Sequence, residues 1–257
     1  MVIKVDSVSF SYAAQEPQVL KDISFQIESG TFCVVLGGNG SGKTTLLHLL
    51  NKVLTPDLGQ ISINNNQVGG LTYGEIAKLV SYVPQEHSNI APYSVKDVVV
   101  MGRTPFLKIG EVPAECDYLL VESILDSLNG KHLLNKYFNE ISGGERQIVL
   151  IARALMQNTP IIILDEPSNH LDFSRQASMF KLLKQISSEE GKTIITTTHD
   201  PNLIYSIADQ VIMLADGEIF ENGAASEVIT AQNISSVYQV DAKLYALPDK
   251  KTFIYAD

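Results

Sequence analysis

The sequence predicts an α/β fold with an antiparallel β region at its N-terminus and a helical subdomain inserted between strands. Three observations carry this reading. A near-continuous apolar run, Thr31 to Leu36, passes through a glycine-rich turn into a helical pattern from Thr44 to Lys52; strand, loop and helix in that order open an α/β unit. Apolar runs then recur at Ile161 to Leu164, Thr193 to Thr197 and Val211 to Leu214, as strands buried on both faces do. Between them, from about Asn89, the composition changes to short helical pieces punctuated by Pro92, Gly102, Pro105, Gly110 and Pro113.

The elements follow in chain order. Val2, Val5 and Val8 sit among polar residues, and Ile23, Phe25 and Ile27 alternate with polar neighbours, so both stretches read as half-buried strands. Gly30 marks a turn before the apolar strand. Pro56 and Gly59 end the first helix, Ile61 and Ile63 form a short alternating strand, and Val80 to Val83 another. Leu119, Leu120, Ile124, Leu125 and Leu128 place a helical stripe on Tyr118 to Leu128. Further helices are expected from Glu145 to Met156 and near Ser174 to Ser187. Val211 to Ala215 and Glu218 to Phe220 read as a hairpin turning at Asp216-Gly217. The pattern divides the chain into a discontinuous core, 1–88 with 159–225, a helical subdomain, 89–158, and a C-terminal extension, 226–257, that carries no readable motif.

The 257 residues are 45 % hydrophobic and 19 % charged, which excludes a disordered chain and a coiled coil. Acidic residues number 29 against 19 basic ones, a formal charge of -10, so no nucleic-acid partner is expected. No apolar run approaches the roughly 20 residues that span a bilayer. The opening residues lack the apolar core of a signal peptide. Cys33 and Cys116 stand in unrelated contexts and build neither a disulfide framework nor a zinc site. His48, His87 and His132 are scattered and not spaced as ligands. These features predict a cytoplasmic protein.

Gly37-Gly38-Asn39-Gly40-Ser41-Gly42-Lys43-Thr44 fits the phosphate-loop pattern GxxxxGK[ST], between a strand and a helix as that pattern requires. The glycines let backbone N–H groups turn toward phosphate oxygens, and the helix start adds positive potential. Lys43 is expected on the β- and γ-phosphates, Thr44 on Mg²⁺, and Thr45 within the same nucleotide-binding turn. Ile161-Ile162-Ile163-Leu164-Asp165-Glu166-Pro167 delivers two carboxylates at a strand end. Asp165 suits Mg²⁺, and Glu166 suits a general base acting on water. Together these predict nucleotide hydrolysis.

Further segments narrow the class. Ile141-Ser142-Gly143-Gly144-Glu145-Arg146-Gln147 resembles the LSGGQ signature of ABC transporter ATP-binding subunits, with Ile and Glu at the variable ends. Gln85 resembles the family's Q-loop glutamine, Ser168-Asn169-His170-Leu171-Asp172 its D-loop, and His199 its switch histidine. The resemblance covers nearly the whole chain. It implies a P-loop NTPase (RecA-like) core that binds ATP and Mg²⁺. It also implies a head-to-tail dimer in which Ser142, Gly143, Gly144 and Glu145 of one copy cover the ATP held by the other. Read by itself, Ser142 is equally an ordinary helix cap. His199 would hold the γ-phosphate, Gln85 would touch Mg²⁺ or the water, and His170 and Asp172 would meet the partner copy. Tyr12 resembles the aromatic that stacks on adenine, or else is a core aromatic at a strand end. Gly38 stands where the family commonly has proline and Thr44 where it commonly has serine; the hydroxyl is kept.

Val95 to Pro105, VKDVVVMGRTP, resembles the subfamily serving importers of iron chelates, haem and cobalamin, some of whose members handle molybdate. That resemblance implies a multi-span membrane permease as partner, a substrate-binding protein further along, and a place on the cytoplasmic face of the inner membrane. Tyr93, Val98, Met101 and Phe106 would either line the groove for the permease or form the lobe's own core. Soluble ATPases of the same family, and exporters, are the competing readings.

Overall fold

The computed structural model describes residues 2–85, 92–169, 171–246 and 252–256. The chain opens with strands β1 (Ile3–Phe10), β2 (Leu20–Ile27) and β3 (Phe32–Gly37). Helix α1 (Lys43–Leu50) and strands β4 (Leu58–Ile63) and β5 (Asn66–Gln67) follow. Next come α2 (Tyr73–Leu79), β6 (Val80–Val83), α3 (Val95–Val100), α4 (Glu115–Ser127), α5 (Gly143–Gln157), β7 (Ile161–Leu164) and α6 (Phe173–Glu190). The chain returns through β8 (Thr193–Thr197), α7 (Pro201–Ile204), β9 (Gln210–Ala215), β10 (Glu218–Gly223), α8 (Ala225–Val228) and α9 (Ala231–Tyr238). It closes on the hairpin β11 (Ala242–Ala246) and β12 (Thr252–Ala256). Two compact units result: Met1–Leu71 with Thr193–Asp257, and Thr72–Lys192.

In the first unit the N-terminal strands pair antiparallel in the order β2-β1-β4-β5. The alternation read from the sequence is the alternation of burial: Ile23, Phe25 and Ile27 are inside while Asp22, Ser24 and Gln26 are not. A second layer runs β10-β9-β3-β8, with β3 parallel to both β8 and β9. Every residue of β3 and β8 is buried, which is why those runs are apolar, or threonine, throughout. Asp216 and Gly217 turn the β9–β10 hairpin with φ of 51° and 81°, the paired positive values that a tight hairpin needs.

In the second unit β6 and β7 pair in parallel among helices. Helix α5 is its spine: Gln147, Ile148, Val149, Leu150, Ile151 and Ala152 are consecutive and all buried. Helix α3 is a run of valines that strand propensity would not make helical. It is helical because Ser94 accepts a hydrogen bond from the backbone of Asp97 and because Val95, Val98, Val99 and Val100 are all inside. A 3₁₀ turn, Met101–Phe106, follows. There Gly102 lies so close to α5 that a Cβ would stand 2.4 Å from the carbonyl of Arg153, so only glycine fits. Of the residues left open between groove and core, Val98 is core at 0 % exposure, whereas Tyr93 and Phe106 are exposed at 47 % and 38 %.

Several elements go beyond those expected. Helix α2 starts at a Thr72/Glu75 capping box, a signal present in the letters but attached to no apolar stripe. Helices α8 and α9 and the β11–β12 hairpin occupy the extension that carried no motif. Among the described residues no helix is long and apolar enough to cross a membrane.

Candidate functional site

The phosphate loop leaves the buried end of β3 and enters α1. Gly37 has φ 156°, and a Cβ there would meet Leu214 O at 2.4 Å and Ser41 Oγ at 2.6 Å. Helix α1 is capped by Gly42 in the left-handed region, without a side-chain cap, so the cap residue does not compete for the first N–H groups in the way a serine would. Lys43 is 6 % exposed. Its ammonium donates to Gly37 O at 2.9 Å and Gly38 O at 3.0 Å, folded back across the mouth of the loop. Ser41 Oγ is buried without a hydrogen-bond partner among the described residues. A buried cation, an orphaned hydroxyl and an uncapped helix start fit a bound phosphate chain. Asn39 and Gly40, at the tip, face solvent, and Thr44 is half-buried.

Tyr12 is 58 % exposed, which removes the core-aromatic reading. Its hydroxyl shares a hydrogen bond of 2.9 Å with Thr45 Oγ1, and Phe10 braces the ring edge-on at 5.1 Å. An exposed ring tied to the phosphate-loop helix has the shape and chemistry to stack on a flat base. His199 stands exposed just beyond β8, also in the first unit. It is followed by Asp200, which caps α7.

The first unit also shows a residue that sequence reasoning missed. Gly37 N–H donates to the hydroxyl of Tyr238, at the end of α9, at 3.2 Å. Burial pushes the Tyr238 phenol above its usual pKa, against the pull of the Gly37 amide, so it meets the loop as a neutral acceptor. A polar cleft of about 190 Å³ is lined by Gly38 to Ser41 with Asp216 and Gln239. The extension therefore furnishes part of the loop's surroundings. No local pattern marks Tyr238, because its partner lies 201 residues away. Tyr238→Phe removes only the hydroxyl and is expected to weaken ATP binding by the single chain about threefold, the worth of one modest hydrogen bond. Equilibrium titration with a fluorescent ATP analogue reads this, and unchanged affinity would reduce the contact to packing.

The second unit carries the carboxylates. Strands β6 and β7 are in register at Val83 and Leu164, and Asp165 N–H donates to Val83 O at 2.9 Å. Two residues beyond that pair stand Gln85 and Glu166. The Gln85 amide donates to Glu166 Oε2 at 2.7 Å, and the Asn169 amide donates to the same oxygen at 2.6 Å. Glu166 is 6 % exposed and its backbone has φ 46°, a left-handed conformation that costs a non-glycine residue on the order of 1 kcal/mol. The fold thus holds this carboxylate in a strained, doubly clamped position. Asp165 is 1 % exposed, and its charge, after burial, helps push the Tyr82 phenol up. Asn169 was legible only as part of a loop motif; its grip on Glu166 was not.

Beyond Glu166, Gln176 of α6 donates to Ser168 O and Leu171 O, fixing the loop from behind. Asp172 caps α6 by accepting from Arg175 N–H at 3.0 Å. His170 and His87 lie outside the described residues.

The signature segment opens α5. Ser142 and Gly143 are exposed. A capping box joins Ser142 to Glu145: Ser142 Oγ accepts from Glu145 N–H, and Ser142 N–H and Oγ both donate to Glu145 Oε2 at 2.9 Å. The backbone amide of Ser142 is the chief reason that Glu145 titrates at about 2, with the Ser142 hydroxyl, Lys136 and His132 adding to it. Ser142 is therefore a helix cap, and its helix start also faces solvent. The structure brings Gln85 to Glu166, Tyr12 to Thr45, Lys43 to Gly37 and Gly38, and Ser142 to Glu145.

A profile of the ABC transporter family matches residues 20–169. An uncharacterized ABC transporter ATP-binding protein of Methanocaldococcus jannaschii is 41 % identical over 242 residues, 94 % of this chain and 93 % of that one. A probable iron chelatin transport ATP-binding protein of Helicobacter pylori is 34 % identical over 258 residues, covering 100 % of both. Among solved structures, a chain of a metal-chelate type ABC transporter in an inward-facing conformation superposes with a TM-score of 0.84, at 29 % identity, over 100 % of this chain and 96 % of that one. A dimeric ATP-binding cassette bound to ADP and Pi in a post-hydrolysis state superposes with a TM-score of 0.78, at 29 % identity, over 87 % of this chain and 98 % of that one.

Proposed function

The chain belongs to the ABC transporter family, and on that premise we propose that it is the ATPase subunit that powers import of a metal complex through a separate membrane permease. The observation that carries the cargo class is the end-to-end match with the iron chelatin transport protein, supported by the Val95 to Pro105 segment.

In this reading ATP stacks on Tyr12 and its phosphates enter the loop Gly37 to Thr45. Lys43 leaves the carbonyls of Gly37 and Gly38 for the β- and γ-phosphates. By the family resemblance Thr44, Gln85 and Asp165 would each offer an oxygen to Mg²⁺, a cation that suits hard oxygen ligands and would neutralise phosphate charge. His199 acts on the γ-phosphate. Glu166 takes the proton of the attacking water, and the clamp from Gln85 and Asn169 keeps its carboxylate aimed.

The chain offers two helix starts to anions, one at the phosphate loop and one at Ser142. A dimer of two such chains, each signature Ser142-Gly143-Gly144-Glu145 covering the other's ATP, uses both. Such a motor works at the cytoplasmic face of the membrane, bound to its permease, with a substrate-binding protein acting on the permease from the far side.

The test is an affinity pull-down of tagged Glu166→Gln protein from detergent-solubilised membranes with Mg·ATP, read by mass spectrometry. A multi-span permease accompanied by an iron-chelate or haem binding protein is expected. A molybdate-binding companion would change the cargo. Soluble partners alone would overturn the importer reading and favour a soluble ATPase.

A further inference from the structure

The signature of this chain carries a charge where its family pattern has a neutral glutamine. Glu145 is the third residue of α5, beside the N–H groups that an incoming phosphate would use. A helix start attracts anions through those amides and the helix dipole, but a carboxylate in the first turn already occupies that potential with its own negative charge. Its Oε2 is held by Ser142. Its Oε1 lies 3.4 Å from Lys136 Nζ and 3.3 Å from His132 Nε2. The Glu145 side chain is 17 % exposed and that of Lys136 is 45 % exposed, so the pair sits at the surface beside exposed Ser142 and Gly143.

The other cations nearby are engaged elsewhere. Arg146 turns away to the carbonyls of Phe138 and Asn139, and Lys131 pairs with Glu122 at 2.9 Å. Lys136 is fixed by its backbone from both sides: its N–H donates to Leu133 O, and its carbonyl accepts from Val95 N–H at the start of α3, each at 2.9 Å.

We propose that Lys136, assisted by His132, is the counter-charge that lets a signature with glutamate in place of glutamine accept the ATP of a partner copy. It is a positioning residue that acts through Glu145 and does not touch the nucleotide. The inference rests on the sandwich-dimer reading above and makes a sharper statement about it. Without the ammonium, the γ-phosphate approaches an uncompensated carboxylate, and closure weakens although ATP binding to the single chain does not. Without the carboxylate, the ammonium has nothing to compensate.

The experiment is a double-mutant cycle in the Glu166→Gln background, with dimer formation followed by analytical ultracentrifugation as Mg·ATP is raised. Lys136→Met is expected to raise the midpoint about fivefold, the size of a half-exposed charge pair. Glu145→Gln keeps the capping box, which glutamine also makes. Adding it to Lys136→Met is expected to return the midpoint to within about twofold of Glu145→Gln alone, the mark of coupled residues. A Lys136→Met defect that persists beside Glu145→Gln would overturn the proposal in favour of direct nucleotide contact or a structural role. So would a Lys136→Met midpoint equal to the parent's. ATP affinity of the monomeric variants, measured separately, is expected to be unchanged; a matching loss there would also overturn it. If the parent itself forms no dimer with Mg·ATP, the sandwich reading falls, and the inference falls with it for that distinguishable reason.

Discussion

Glu166→Gln is expected to bind Mg·ATP as the parent does and to hydrolyse it about 10³-fold more slowly, the range by which a positioned general base accelerates a reaction. The substitution keeps the size of the side chain and lets an amide oxygen receive the hydrogen bonds from Gln85 and Asn169. The left-handed backbone at this position is maintained by the surrounding loop, so the fold should persist. What is lost is the ability to take a proton from water. Phosphate release at saturating ATP measures the rate, and size-exclusion with and without Mg·ATP shows whether a closed dimer accumulates. A rate within about tenfold of the parent would remove the base role from Glu166. Loss of both ATP binding and folding would instead mean that the clamp is structural.

Lys43→Ala is expected to weaken ATP binding about 10²-fold, since charge-assisted contacts to phosphate are the strong ones. The ammonium now rests on the carbonyls of Gly37 and Gly38. It can exchange those neutral acceptors for charged ones without crossing the loop. The loss should be large for ATP and small for AMP, because the assigned partners are the β- and γ-phosphates. Equilibrium titration of both nucleotides checks this; equal losses would move Lys43 from phosphate recognition to loop stability. Unfolding should shift little, since the carbonyls regain water.

The legible parts of the fold were those written in short-range pattern. Ile161 to Leu164 and Thr193 to Thr197 are buried without interruption, and such runs read directly as inner strands; Val80 to Val83 reads as a short alternating strand, yet all of it but half-buried Tyr82 is inside. The phosphate loop was legible because its residues are consecutive. What escaped was tertiary. Helix α2 buries only Ile76, so no stripe betrays it. The valines of α3 favour a strand by propensity, and burial on every side overrides that. The hold of Gln85 on Glu166 spans 81 residues and that of Tyr238 on Gly37 spans 201. His132 looked scattered until the fold set it beside Glu145. In each case the residue type was visible and the neighbour was not.

The shared register of β6 and β7 makes chain length itself a guarded quantity. Gln85 and Glu166 meet because each lies the same two steps past the Val83–Leu164 pair. Deleting Pro84 would spare the strands, their burial and both members of the pair, and still separate the amide from the carboxylate. Gaps between related sequences should therefore be absent from 83–85 and 164–166. They belong in stretches such as 108–112, exposed throughout, where an added residue disturbs at most the local Lys108–Glu111 turn.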